Sequence, residues 1–128
     1  MIWGIDMEDD PLTRRIISAA LEVHSFLGPG LLETIYEQAL CHELELRGIG
    51  FERQVPVLVT YKGRSIAGQV LDLLIEKEVV VELKVVRKLP EVATAQTLSY
   101  LRATGLRRAL LLNFGESRLA NGIKRLAL

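Results

Sequence analysis

Three charged side chains stand in apolar surroundings, where charge is costly. The run Val79-Val80-Val81-Glu82-Leu83-Lys84-Val85-Val86 reads as a buried strand carrying opposite charges two residues apart. One strand earlier, Gln69-Val70-Leu71-Asp72-Leu73-Leu74-Ile75 carries a lone acid. Alternate residues of a strand share a face, so Glu82 and Lys84 stand side by side. Burying an unpaired ion costs several kcal/mol, so such groups are normally paired or bound to metal. If the loop between the two strands is the three-residue Glu76-Lys77-Glu78, Asp72 lies directly opposite Glu82. Facing carboxylates repel, and a divalent cation between them reverses the sign. Mg²⁺ takes oxygen ligands at about 2.0–2.1 Å, commonly one or two carboxylates with phosphate and water. Lys84 would then bind a scissile phosphate, or orient and help deprotonate the attacking water. An Asp on one strand and Glu-x-Lys on the next is thus the ligand set of a metal-dependent phosphodiesterase. A two-residue loop would turn Asp72 to the other face. A plain Glu82–Lys84 ion pair at a solvated sheet end is the competing reading.

Further polar groups bear on this set. Gln96 and Tyr100 are four residues apart on an expected helix and share its face, from which both could reach a phosphate. A mundane amphipathic boundary gives the same spacing. Glu33 follows Gly30 by three residues; with Gly30 as N-cap it would sit at N3, where a carboxylate suits free amides and the helix dipole. Its functional reading is an added carboxylate at the metal, direct or through water. Tyr36 fits the core better than the site. His24 and His42 have no zinc spacing with Cys41, although His24 could approach the site through Gly28-Pro29-Gly30. That glycine-rich turn breaks a helix and cradles no phosphate, and no Gly-x-Ser-x-Gly elbow occurs.

The elements that must position these groups can be read in order. Residues 1–9 are expected to be a loose arm, and 10–128 a single domain. Asp10-Pro11 starts a helix that Gly28 ends, with Leu12, Ile16, Ala19, Ala20, Val23 and Leu27 at helical spacing. A second helix is expected over about Leu31–Arg47, with Gly48 beyond its end. Strands are expected over Val55–Tyr61, with Pro56 marking an edge, then Ser65–Ile75 and Val79–Val86. A helix over Pro90–Thr104 leads to a strand at Arg108–Phe114 and a short one at Ile123–Leu128. The order ααβββαββ makes an antiparallel meander followed by a helical crossover to a parallel strand. The fold class is mixed α/β, a mixed sheet flanked by helices.

Composition narrows the class. At 128 residues, 49% apolar and 25% charged, the chain can bury a core without staples, and its single cysteine forms no internal bridge. No apolar run approaches the ~18–20 residues that span a bilayer, and the first ten residues lack a signal-peptide pattern, so the cytoplasm is the expected location. Net charge is zero but uneven. Residues 1–50 hold 3 basic and 9 acidic groups, a balance of −6; residues 51–128 hold 13 and 7, a balance of +6. A polyanion-facing side gives that asymmetry, and so do acidic helix surfaces beside basic sheet edges.

The chain resembles a known family. Gly30-Leu31-Leu32-Glu33-Thr34-Ile35-Tyr36 matches the motif of the GxxExxY proteins, which are similar to the PD-(D/E)XK nuclease superfamily. The likeness also takes in His24-Ser25-Phe26-Leu27-Gly28-Pro29-Gly30, Tyr61-Lys62-Gly63, Asp72, Glu82-Leu83-Lys84, Gln96-Thr97-Leu98-Ser99-Tyr100-Leu101 and Leu111-Leu112-Asn113-Phe114-Gly115. It implies a restriction-endonuclease-like core. It implies that Asp72, Glu82 and the main-chain carbonyl of Leu83 ligate Mg²⁺, with Lys84 as catalytic lysine. Glu33 and the Gln96/Tyr100 pair resemble the extra acid and Gln-x-x-x-Tyr motif of the RecB-like branch. Leu71 replaces the proline that usually precedes the aspartate. The expectation is a Mg²⁺-dependent nuclease acting on DNA, with Mn²⁺ as a substitute. RNA as substrate and a homodimer stay open. The rival is a nucleic-acid-binding or regulatory, partner-binding module that keeps the fold without turnover.

Overall fold

The computed structural model describes residues 10–128; the arm expected at 1–9 lies outside them. Helix α1 spans Pro11–Leu27 and α2 Glu33–Leu46; strands β1 (Phe51–Tyr61), β2 (Arg64–Ile75) and β3 (Val79–Lys84) follow. Helix α3 (Glu91–Thr104), β4 (Arg108–Asn113), a 3₁₀ turn (Leu119–Gly122) and β5 (Ile123–Ala127) complete the order. The sheet runs β1-β2-β3-β4-β5, antiparallel except for the parallel β3–β4 pair that α3 connects. β1 is an edge, which tolerates the missing amide of Pro56.

Local chemistry explains these limits. Asp10 caps α1, its side chain accepting from Leu12 N at 3.2 Å and from the Thr13 hydroxyl at 2.7 Å, and it pairs with Arg108 of β4. Gly28 and Gly30, at φ 72° and 104°, let the chain reverse between α1 and α2. α2 starts at Glu33, two residues later than the expected Leu31: Leu32 is still extended and, as N-cap, its carbonyl accepts the first helical bonds, from Ile35 N at 3.0 Å and Tyr36 N at 3.4 Å. Glu33 is therefore the first residue of the helix and not its N3 position. β1 starts four residues before the expected Val55, as Phe51–Arg53 continue the ladder with β2. β3 stops at Lys84 instead of Val86.

Asn113 explains that last difference. Its Oδ1 accepts from Val86 N and Gly115 N, both at 3.0 Å, and its Nδ2 donates to Val86 O at 2.9 Å. A side chain thus takes over the partners a longer strand would have used. Gly115 belongs to this clamp, since a Cβ there would lie 2.5 Å from Val86 O.

Two apolar clusters cover the sheet. On one face α1 and α2 pack Ile16, Ala20, Val23, Tyr36, Leu40 and Leu44 against Leu73, Ile75, Val79, Val81, Leu83 and Leu110. On the other, Tyr100 and Leu101 of α3 pack against Val57, Leu71, Val80, Ala109 and Leu126. Alternation along β3 therefore aims Val81 and Leu83 at α1 and α2, and Glu82 and Lys84 at the α3 side.

Replacing Asn113 with Ala removes three hydrogen bonds beside a fully packed strand. At about 1–3 kcal/mol for each buried partner left unsatisfied, partly recovered by water, the expected loss is about 2–4 kcal/mol, measured by urea unfolding. A loss under about 0.5 kcal/mol would show that solvent replaces the clamp.

Candidate active site

The turn between β2 and β3 is Glu76-Lys77-Glu78, closed by Glu78 N donating to Ile75 O at 2.9 Å. Glu76 and Lys77 adopt φ 51° and 58° to make it. The resulting register pairs Ile75 with Val79, Leu74 with Val80 and Leu73 with Val81. The next rung brings Asp72 to Glu82, and there the main-chain ladder ends. Asp72 N donates to Glu82 Oε2 at 2.6 Å, and Leu83 N donates to Asp72 Oδ2 at 2.9 Å. Each carboxylate thus takes the place of a carbonyl that the diverging strand no longer offers. One oxygen of each acid accepts a hydrogen bond from a main-chain N–H, which orients the other.

Electrostatics follow from this burial. Glu82 is 3% exposed. Burial, then the charge of Asp72, pushes its carboxyl up to about 8. Burial and the charge of Glu37 raise Asp72, while the Leu83 amide, Lys84 and Gln54 oppose the rise. Burial raises Glu33 as well, followed by the charge of Asp72, with Lys84 acting against both. Tyr100 is pushed up to about 12 by burial and then by Glu82 and Asp72. Its hydroxyl donates to Val70 O at 3.2 Å, which pins α3 to β2 just before Asp72.

Asp72, Glu82, Lys84, Glu33 and Tyr100 therefore bear on one locality at the end of β3. Gln96, one turn before Tyr100, is half-buried, and among the described residues its side chain makes no hydrogen bond to either carboxylate. No three His, Cys, Asp or Glu side chains among the described residues stand close enough to share one ion. Glu33 is thus a charged neighbour of the pair more than a third side chain on one cation. Tyr36 is core: it is fully buried, stacks on Phe114 at 4.8 Å, and its hydroxyl donates to Gly28 O and accepts from Leu31 N. His24 faces the same core, its Nε2 donating to Phe114 O at 3.2 Å. Tyr36 thereby sets the turn that delivers Glu33 to the site.

Sequence reasoning missed a group behind Asp72. Glu37, 5% exposed, is one helical turn beyond Glu33. Its Oε2 accepts from Arg53 Nε at 3.1 Å and Nη2 at 2.9 Å, and Gln54 Nε2 donates to its Oε1 at 3.0 Å. The only available signal was Arg53-Gln54, two polar residues ahead of the apolar part of β1.

The donor set suits a hard divalent cation. Buried Glu82 and half-buried Asp72 each keep an oxygen uncommitted to main chain, and burial together with their repulsion holds a proton on the pair that a cation would displace. In comparison with known proteins, residues 10–126 match the family model described as the PD-(D/E)XK nuclease superfamily. No curated protein and no solved structure gave a significant match.

A pH dependence follows. An ordinary Glu titrates near 4.3–4.5 and Glu82 in the fold at about 8, so between these values the folded state holds a proton that the unfolded state has lost. The stability from this group is complete below the lower value and disappears as pH rises through the upper one. The metal-free melting temperature is expected to fall from pH 5.5 to 8, and Mg²⁺ to restore it most at pH 8. Asp72→Asn, which keeps an acceptor for Leu83 N and removes the charge, should flatten the fall. A metal-free profile that rises over this range in thermal melts would overturn the assignment.

Proposed function

The chain belongs to the PD-(D/E)XK nuclease superfamily, and from that premise we propose that it is a Mg²⁺-dependent nuclease hydrolysing phosphodiester bonds of DNA. Its mixed sheet flanked by helices is the restriction-endonuclease-like fold. The observation that carries the reading is the pairing of buried Glu82 with half-buried Asp72, each acid held by a main-chain amide of the facing strand, with Lys84 two residues further along β3.

Asp72, Glu82 and the main-chain carbonyl of Leu83 would hold the cation. When bound, it supplies Lewis-acid polarisation of the phosphate and stabilises the departing oxygen. Lys84 contributes a fixed positive charge where the attacked phosphate gains negative charge, and it orients the incoming water. Glu33 acts through water, from the first turn of α2. Tyr100 holds β2 in place beside Asp72, and Gln96 faces the substrate from α3. Water attacks phosphorus and one P–O ester bond breaks, leaving a phosphate monoester and a hydroxyl.

The finer placement, in the GxxExxY family and RecB-like branch, is supported by Glu33 lying near the acids and by the Gln96–Tyr100 spacing on α3. DNA is the first choice of substrate, RNA the second. The basic balance of residues 51–128 favours a polyanion. Among the described residues no helix is long and apolar enough to cross a membrane. A cytoplasmic site of action is proposed on the sequence alone, and a homodimer would widen the contact with duplex.

The test is digestion of labelled single- and double-stranded DNA and RNA with Mg²⁺, Mn²⁺ or chelator. Cleavage of DNA that chelator abolishes is expected. Lys84→Met, which keeps an unbranched apolar stem, should lose about 10²–10⁴-fold in rate with its melting temperature nearly unchanged. Binding without cleavage of any substrate under both metals would favour the module without turnover. Equal rates for wild type and Lys84→Met would remove the lysine from the mechanism.

A further inference from the structure

The hairpin of β1 and β2 outruns the sheet to which it belongs. β3 pairs with β2 only from Leu73 to Ile75, and β1 is an edge, so residues 55–71 have no other strand beside them. Val57 and Leu71 root this ribbon on Tyr100 and Leu101 of α3. Past that root every residue from Leu58 to Gly68 is exposed. Leu58, Val59, Tyr61 and Ile66 are among them, Tyr61 at 61%. The tip is nonetheless well formed. Val59, Thr60 and Tyr61 pair with Ile66, Ser65 and Arg64, and Lys62-Gly63 turn at φ 46° and 85°, both positive as a hairpin's twist requires. Two strands with neither face covered stabilise each other poorly, and a large apolar surface left open marks a binding site.

Charge identifies the occupant. No acid occurs between Arg53 and Leu71. Lys62 and Arg64 stand at the tip, and Arg102 lines the groove where Leu58, Val59 and Thr60 meet α3. Among the described residues none of these three cations pairs with an acid. Lys62 Nζ lies 5.4 Å from the centre of the Tyr61 ring instead. A second copy of the chain is the poorer occupant. Gln54, at φ 51°, is missing from the ladder, Pro56 has no amide, and a bulge sets Leu58 against Ala67 and Gly68. The open edge of β1 therefore offers no continuous row of partners, and two like-charged tips would repel. A two-stranded ribbon fits the major groove of duplex DNA, about 12 Å wide, where cations meet phosphates and apolar side chains meet thymine methyls.

We propose that residues 58–68 form a duplex-gripping arm: Lys62 and Arg64, with Arg102 behind them, hold phosphates of the same DNA whose scissile bond lies at Asp72 and Glu82. The choice of occupant rests on the nuclease reading above. Arg64 precedes Asp72 by eight residues within β2. The arm thus reaches roughly 25 Å from the acids, or about seven base-pair steps. Duplex that continues past this reach on one side of the cut gains the contact, and shorter duplex does not.

Two double variants test the arm, all four positions being exposed. Lys62→Asn with Arg64→Gln removes both charges and keeps a residue that tolerates the left-handed turn. Tyr61→Ser with Ile66→Ser removes the apolar contacts. Binding to a DNA duplex of about 30 base pairs is measured by fluorescence anisotropy in chelator, from about 50 to 200 mM salt. Cleavage with Mg²⁺ is measured on that duplex and on a loop-closed stem of about six base pairs, with thermal melts in parallel. For the charge variant the long duplex is expected to bind about 10–50-fold more weakly, with a salt slope shallower by about 2. Cleavage should slow on the long duplex alone, and both variants should melt as wild type does. The apolar variant should bind more weakly with its slope kept. Wild-type affinity and slope in both variants would overturn the arm and leave the nuclease reading intact. A wild-type dimer in sedimentation that Tyr61→Ser with Ile66→Ser splits would give the ribbon to a second copy and overturn the proposal. Arm-dependent duplex binding by a wild type that cuts nothing would keep the arm and sink the catalytic reading.

Discussion

Everything at the site depends on two hydrogen bonds from main-chain amides to carboxylates, which a regular sheet would not make. Where β2 and β3 part, Asp72 N and Leu83 N need acceptors, and the carboxylates of Glu82 and Asp72 supply them. An unpaired buried amide costs about as much as a lost hydrogen bond, so the acids are held there by the backbone's own requirement. Their repulsion sets a limit on how close the strands can run. The opening between the strands and the clustering of charge are one feature viewed twice.

Much of this was legible in the residues. Glu82 and Lys84 broke an apolar run, and Asp72 broke its neighbour; a loop of three residues was enough to align them. The limits of α1 and the end of α3 followed from Asp10-Pro11 and from glycines able to take positive φ. The edge position of β1 followed from Pro56 alone. The crossover and its parallel strand followed from the order of elements.

What escaped was whatever depends on irregular backbone. Strict alternation puts Leu71 and Leu73 on one face, yet they lie in opposite clusters because the strand turns over at Asp72. Nothing in residues 53–55 announces that Gln54 takes φ 51° inside β1, where its side chain bonds Glu37, distant in sequence. Glu33 departed from its expected place: it is the first residue of α2 and not N3, still in the turn where a carboxylate suits the dipole, and the charges of Asp72 and Lys84 act on it. The early stop of β3 was equally out of reach, because Asn113 replaces a strand partner from 27 residues away.

The Asn113 clamp also divides labour along the chain after Lys84. Val86 is tied through both its N–H and its C=O, and Gly115 closes against it. Whatever happens beyond that knot is mechanically separated from the lysine stem. Arg87 and Lys88 are exposed, and Leu89 is half-buried, before α3 begins. This short span is where a lineage could lengthen, shorten or recharge the protein beside its reactive groups without disturbing their aim. The fold thus keeps an evolvable margin against an unyielding centre, with one buried asparagine as the boundary.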